Sequence, residues 1–219
     1  MRLGIADHFG WAVAVTASSG GTVVDRRRIE LVEPGVTAAP IHYDSARLDV
    51  AATGELVAKV RASVARQTSA SLDELTEALP EPITSMSLRS WPPDFPTDIA
   101  VQRRSPYEAR ADAIMYRQIL ADLAHDRGWD VHLYDAQDVV GRVRALLAER
   151  TDEILQAPRA ALGPPWTKDH RTALAAAIVA GRPSGVRSGQ DQGTGAPQRS
   201  RNVVSDVGLR TFGPKLPSG

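Results

Sequence analysis

Apolar positions repeat with two different periods in this chain, and the period switches several times. Leu3 to Ala6 is a short apolar run stopped by Asp7-His8-Phe9-Gly10, and Trp11 to Thr16 resumes with the β-branched and aromatic residues that suit strands. Ser18-Ser19-Gly20-Gly21 supplies residues that tolerate positive φ, after which Thr22-Val23-Val24 to Ile29-Glu30-Leu31-Val32 carries interleaved polar residues. The opening therefore predicts a three-stranded antiparallel meander. Pro34 to Leu48 has little periodicity and reads as a connecting loop.

Helical spacing follows. Leu56, Val60 and Val64 fall four residues apart, on a helix predicted to start near Thr53 with that threonine as its cap. Ser71-Leu72-Asp73-Glu74 matches a capping box and predicts a second, short helix ending at Pro80. Ile83 to Trp91 reads as a buried strand, closed by Pro92-Pro93-Asp94-Phe95-Pro96, where proline lacks the donor a ladder needs. Ser105-Pro106-Tyr107-Glu108 combines N-cap serine, proline at the first helical position and glutamate at the third, predicting a helix from there to about Arg127. Ala111, Met115, Ile119 and Leu123 form its apolar stripe, and Gly128 ends it. Trp129 to Tyr134 is the next strand. Asp135 is the expected cap of a helix with Val139, Val143, Leu146 and Leu147, and Thr151 to Leu155 and Lys168 to Ala180 are two further helical stretches.

From Arg182 onward Pro, Gly, Ser and Gln dominate and the periodicity vanishes, so residues 182 to 219 are expected to form a disordered tail after a single domain spanning 1 to 181. The tail is mildly basic, with Arg182, Arg187, Arg199, Arg201, Arg210 and Lys215 against Asp191 and Asp206; it could touch nucleic acid or simply keep the chain soluble.

Composition narrows the classes. A formal net charge of zero provides no general field to recruit nucleic acid or an anionic membrane, so such binding needs a local patch. The absence of cysteine excludes disulfides, thiolate metal sites and cysteine nucleophiles, and together with an N-terminus lacking a signal-peptide core it points to a cytoplasmic protein without a membrane span. His8, His42, His125, His132 and His170 have no spacing that puts two imidazoles on one helix face, so zinc is unsupported. No GxxxxGK[ST], GxGxxG or GxSxG run is present, which leaves nucleotide cofactors and serine nucleophile elbows without a signal. Arg26-Arg27-Arg28 and Arg103-Arg104 are the dense basic clusters, and on a strand alternate residues point to opposite faces, which splits such a run. Trp91, Trp129 and Trp166, beside prolines and element ends, read as core plugs rather than base-stacking platforms.

Three antiparallel strands, a helix, then strand, helix, strand and closing helices is an element order that resembles the RNase H-like superfamily of RuvC-type resolvases and YqgF-type proteins. The local matches are the apolar strand ending in Asp7 with Gly10 in the turn, and a final helix carrying Asp169 before Ala173-Leu174-Ala175-Ala176-Ala177. The chain also resembles a group of actinobacterial proteins, which implies no activity. The superfamily resemblance implies an α/β fold, a metal-dependent nuclease site with Asp7 and Asp169 as catalytic and metal-binding residues, Mg²⁺ or Mn²⁺ as the cofactor, and nucleic acid as the partner; a protein partner stays unspecified. Nucleases of this kind hold two divalent cations about 3.5–4 Å apart among converging carboxylates. Here the fourth strand ends in Ser87-Leu88-Arg89-Ser90 where the pattern expects an acid, and Thr172 stands three residues after Asp169 where it expects another. Asp94, Asp98, Glu108 or Asp112 could restore charge from the following loop and helix. For Asp7 the other reading is a turn carboxylate accepting backbone amides. For Asp169, with His170, it is a negative first helical turn behind the cap Thr167. The two functional readings are thus an altered or degenerate nuclease and a non-catalytic interaction or regulatory domain on the same scaffold. Pairing of Arg89 with Asp7 would favour the second.

Overall fold

The computed structural model describes residues 1–181; the tail expected at 182–219 lies outside the described residues. Strands β1 (Arg2–Asp7), β2 (Trp11–Ala17) and β3 (Val23–Glu30) form the predicted meander, β1 against β2 with Asp7 opposite Ala12, and β2 against β3 with Trp11 opposite Glu30. Strands β4 (Ser85–Arg89) and β5 (Asp130–Tyr134) add on in parallel, giving one mixed sheet of five in the order β3-β2-β1-β4-β5. Two short helical turns, Pro40–Asp44 and Ser45–Arg47, lie in the segment expected to be a loop, and helices α1 (Val50–Glu77), α2 (Ile99–Gln102), α3 (Glu108–Asp126), α4 (Val139–Leu147), α5 (Arg150–Leu162) and α6 (Lys168–Ala180) are the other helical elements described.

The alternation of β1 divides the core between the two faces of the sheet. Leu3 and Ile5 pack with Val60, Val64, Met115, Tyr116 and Leu120 of α1 and α3. Ala6 packs with Val139 of α4, Leu155 of α5 and the Ala173–Val179 run of α6. Gly4 lies on this second face, where a Cβ would fall 1.9 Å from the carbonyl oxygen of Ala173. The alanine-rich α6 thus rests directly on β1. No described helix is long and apolar enough to cross a membrane.

Several helix starts differ from those the sequence predicts. Helix α1 starts at Val50 under Asp49, whose carboxylate accepts from Ala52 N at 2.8 Å; Thr53 is buried one turn inside. It runs unbroken through the expected capping box, and Ser71 uses its hydroxyl for a tertiary contact instead. Its Oγ donates to Glu30 O at 2.8 Å, and Thr68 Oγ1 donates to Leu31 O at 3.2 Å, tying α1 to the end of β3. Ser105 caps nothing: α3 begins at Glu108 with Tyr107 in the cap position, and the Ser105–Pro106 peptide is cis. The short α2 before it, capped by Asp98, carries no apolar periodicity long enough to predict it. Asp135 caps a turn one step ahead of α4, accepting from Gln137 N at 2.8 Å, while Asp138 occupies the cap position itself. Helix α5 is longer than expected and continues through Pro158. At the closing helix the expectation matches, with Thr167 as the cap of α6.

Candidate functional site

Asp7 ends β1 and follows Ile5 on the α3 side, so its carboxylate points toward a helix rather than into the β1–β2 turn. Arg117 of α3 meets it, donating from Nε to Asp7 Oδ2 at 2.9 Å, with the two side chains only 11% and 2% exposed. The other terminal group of Arg117 reaches Ser90 O at 3.4 Å, beyond the end of β4. Asp7 Oδ1 is buried without a partner. The pairing between β1 and β4 runs from Arg2 opposite Ser85 to Gly4 opposite Ser87, and past it the Tyr134 hydroxyl of β5 donates to Ile5 O at 2.6 Å. Burial, and secondarily the Asp7 carboxylate, push the Tyr134 phenol up to about 12, while Arg89 and Arg117 pull the other way. The Tyr134 phenol is thus within electrostatic reach of Asp7, Arg89 and Arg117 at this end of the central strands.

Asp169 sits elsewhere. It lies in the first turn of α6, and its Oδ2 is 3.2 Å from His8 Nε2. His8 follows Asp7 by one residue and so leaves the chain toward the opposite side. Its ring stacks on Trp11 at 4.0 Å between centroids and 8° between planes, and Arg28 covers the same indole at 4.3 Å. Asp7 and Asp169 thus have separate cationic or imidazole partners, one from α3 and one from the β1–β2 turn. Burial, and then Arg26, lower the pKa of the neighbouring His170 from its ordinary 6.5; its Nδ1 accepts from Thr167 N at 3.2 Å.

The other acids are engaged or remote. Asp112 accepts the backbone amides of Ile41 and His42 at 3.1 and 2.8 Å, and burial raises its pKa. Asp98 caps α2, Asp94 is exposed, and Glu108 has one buried oxygen with no partner. Among the described residues no three His, Asp or Glu side chains gather where a metal ion could be held. A two-cation site requires several converging carboxylates, and a guanidinium fixed on Asp7 repels the ion that carboxylate would bind. The residues present therefore do not fit a pair of divalent cations.

The arginine run is divided as strand alternation requires. Arg26 donates to the carbonyls of Leu162 and Pro165, Arg27 pairs with Asp25 at 2.8 Å, and Arg28 pairs with Glu30 at 2.7 Å. Trp129 and Trp166 are buried, and Trp166 Nε1 donates to Leu155 O at 2.8 Å. Arg117 was not singled out by its sequence context, although a signal is present. Ile114, Arg117, Ala121 and Ala124 form a second buried row on α3, and an arginine in such a row requires a carboxylate across from it.

The sheet order and strand directions, with helices on both faces, define an α/β protein of the RNase H-like fold. Among solved structures the chain is similar to Thermus thermophilus RuvC, both alone and in complex with a Holliday junction substrate. Identity is 13% in each comparison, with TM-scores of 0.41 and 0.43; 81% of this chain is covered, and 91% and 90% of the RuvC chains. No family model matches the chain, and no curated protein sequence matches it.

Proposed function

We propose that this chain is a non-catalytic interaction or regulatory domain built on the RNase H-like scaffold, with the metal position at the end of β1 closed by an ion pair. The observation that carries this reading is the buried Arg117–Asp7 contact at 2.9 Å. A guanidinium in that place provides the positive charge that a divalent cation would otherwise bring, and it does so permanently, since arginine stays protonated at any physiological pH. The arginine paired with Asp7 comes from α3, not from the end of β4, whose Arg89 was the residue considered from the sequence. Asp169 supports the same reading, because its carboxylate is directed to His8 and its place in the first turn of α6 suits the helix dipole.

The test is cleavage of branched DNA, RNA–DNA hybrid and single strands with Mg²⁺ or Mn²⁺, comparing the wild type with Asp7→Asn and Asp169→Asn. The expected outcome is no metal-dependent cleavage by any of them, and no rise in melting temperature on adding either ion. Cleavage by the wild type that is lost in Asp7→Asn overturns the proposal and establishes a nuclease.

A further inference from the structure

The sheet ends on two strands, β3 and β5, and its two edges are finished differently. On β3, Leu31 N donates to Gly10 O at 2.8 Å, so the alternate residues Arg26, Arg28 and Glu30 direct their backbone groups away from β2. All three carry charged side chains, Glu30 O is taken by Ser71, and the register shifts between Thr16 and Ala17 of β2. Such an edge resists a further strand. On β5, Asp130 N donates to Thr84 O at 3.0 Å and Ser90 N to Tyr134 O at 2.8 Å, so Asp130, His132 and Tyr134 bond toward β4 while Val131 and Leu133 direct their backbone groups outward. Among the described residues no turn, loop or helix backbone bonds to those outward groups. Val131 packs against the α1–α3 core, and Leu133, next on the same face, is 47% exposed. This edge has no lysine, arginine or proline to protect it.

We infer that β5 is where a second copy of this chain adds on, antiparallel, so that two sheets join across a twofold axis at His132. The phase of the hydrogen bonds selects this register. Val131 of each copy falls opposite Leu133 of the other, and each such pair exchanges both of its outward N–H and C=O groups. The side chains agree with the same register. Valine meets leucine on one face, which covers the exposed Leu133, and on the other face Asp130 opposes the neutral Tyr134 phenol, so no carboxylate meets a carboxylate. A twofold contact of this kind closes on itself and leaves no free β5 edge. Two short strands make a small interface, so the association is expected to be weak. The inference stands on the sheet edge and is independent of what fills the end of β1.

The experiment is sedimentation of the full chain over a concentration series reaching about 500 µM, with backbone amide exchange measured on the same samples. Leu133→Pro is the test variant, because it removes an outward N–H and leaves the bonds to β4 in place. Leu162→Ser, which removes an exposed leucine on α5, reports non-specific apolar association. At the highest concentration the wild type and Leu162→Ser are expected to rise about 1.5-fold in mean mass, with exchange at the Val131 and Leu133 amides slowed about twofold. Leu133→Pro is expected to keep the mass of one chain. A wild type that keeps the mass of one chain throughout overturns the inference, as does association that Leu133→Pro retains or Leu162→Ser abolishes. A wild-type dimer whose Val131 and Leu133 amides exchange as in the single chain places the contact elsewhere and also overturns it. Protection of those amides that does not change with concentration gives the edge to another occupant, with the same consequence. Should Leu133→Pro fail to fold, as read by circular dichroism, Leu133→Lys takes its place and sets an ammonium against Val131 of the second copy. Loss of association in Leu133→Lys supports the site, and unchanged association rejects it. Metal-dependent cleavage would overturn the non-catalytic reading without touching this comparison.

Discussion

Arg117 and Asp7 form a buried ion pair between α3 and the end of β1. Taking both charges out of water costs several kcal/mol per ion, and their attraction repays this only while both are present. Arg117→Ala is therefore expected to destabilise the protein by about 3–5 kcal/mol, because it leaves Asp7 buried and unmatched. Replacing both partners with apolar residues, as in Asp7→Leu with Arg117→Met, is expected to recover most of that loss. Urea unfolding of the single and double variants measures it, and a single-variant loss below about 1 kcal/mol would show that the pair is not the buried contact described here. Asp7 was legible in the sequence as a residue of consequence, since a carboxylate closing an apolar strand has few inexpensive environments. Its partner was not, because Arg117 lies 110 positions away and only packing of α3 against the sheet brings the two together.

At the scale of elements, local codes hold where no tertiary partner competes. Thr167 caps α6 as its sequence predicts, and His170 completes the turn by accepting the Thr167 amide through a neutral ring nitrogen. Burial lowers the His170 pKa below its ordinary 6.5, so the neutral form is favoured in the folded state. The stability this contributes is fully present above pH 6.5 and is lost as pH falls through the lowered folded value. His170→Gln keeps an acceptor for the Thr167 amide without titrating, so the wild type is expected to lose stability relative to that variant on acidification below pH 6.5. Parallel pH profiles of the two would sink this expectation. Ser71 and Ser105 show the opposite case. Both stand in good capping contexts, yet Ser71 is drawn to Glu30 O across the α1–β3 contact and Ser105 precedes a turn that starts the helix later.

At the scale of the described domain, the sheet and the α6 layer meet at a close approach. Gly4 leaves the room for Ala173 O, and an alanine there would place its Cβ 1.9 Å from that backbone oxygen. No side chain can move aside, so α6 must lift from β1, and with it the layer of Ala173, Leu174 and Ala177. Gly4→Ala is expected to cost about 3 kcal/mol or more, toward or beyond the upper end of overpacking penalties. A chemical denaturation midpoint unchanged from the wild type would contradict the contact.

The sequence by itself determined the class of architecture. Strand and helix periods, a glycine-bearing turn after Asp7 and proline breaks after β4 are local signals, and together they impose the order of elements from which the mixed sheet follows. It also marked the central positions Asp7, Arg89 and Asp169. Only the tertiary structure decided what those side chains touch. Strand alternation sends Asp7 and His8 to opposite sides, and helix packing delivers Arg117 to one and Asp169 to the other. These pairings depend on distances between residues far apart in the chain, which no local pattern encodes. The charge balance that separates a metal site from a closed one is set by them.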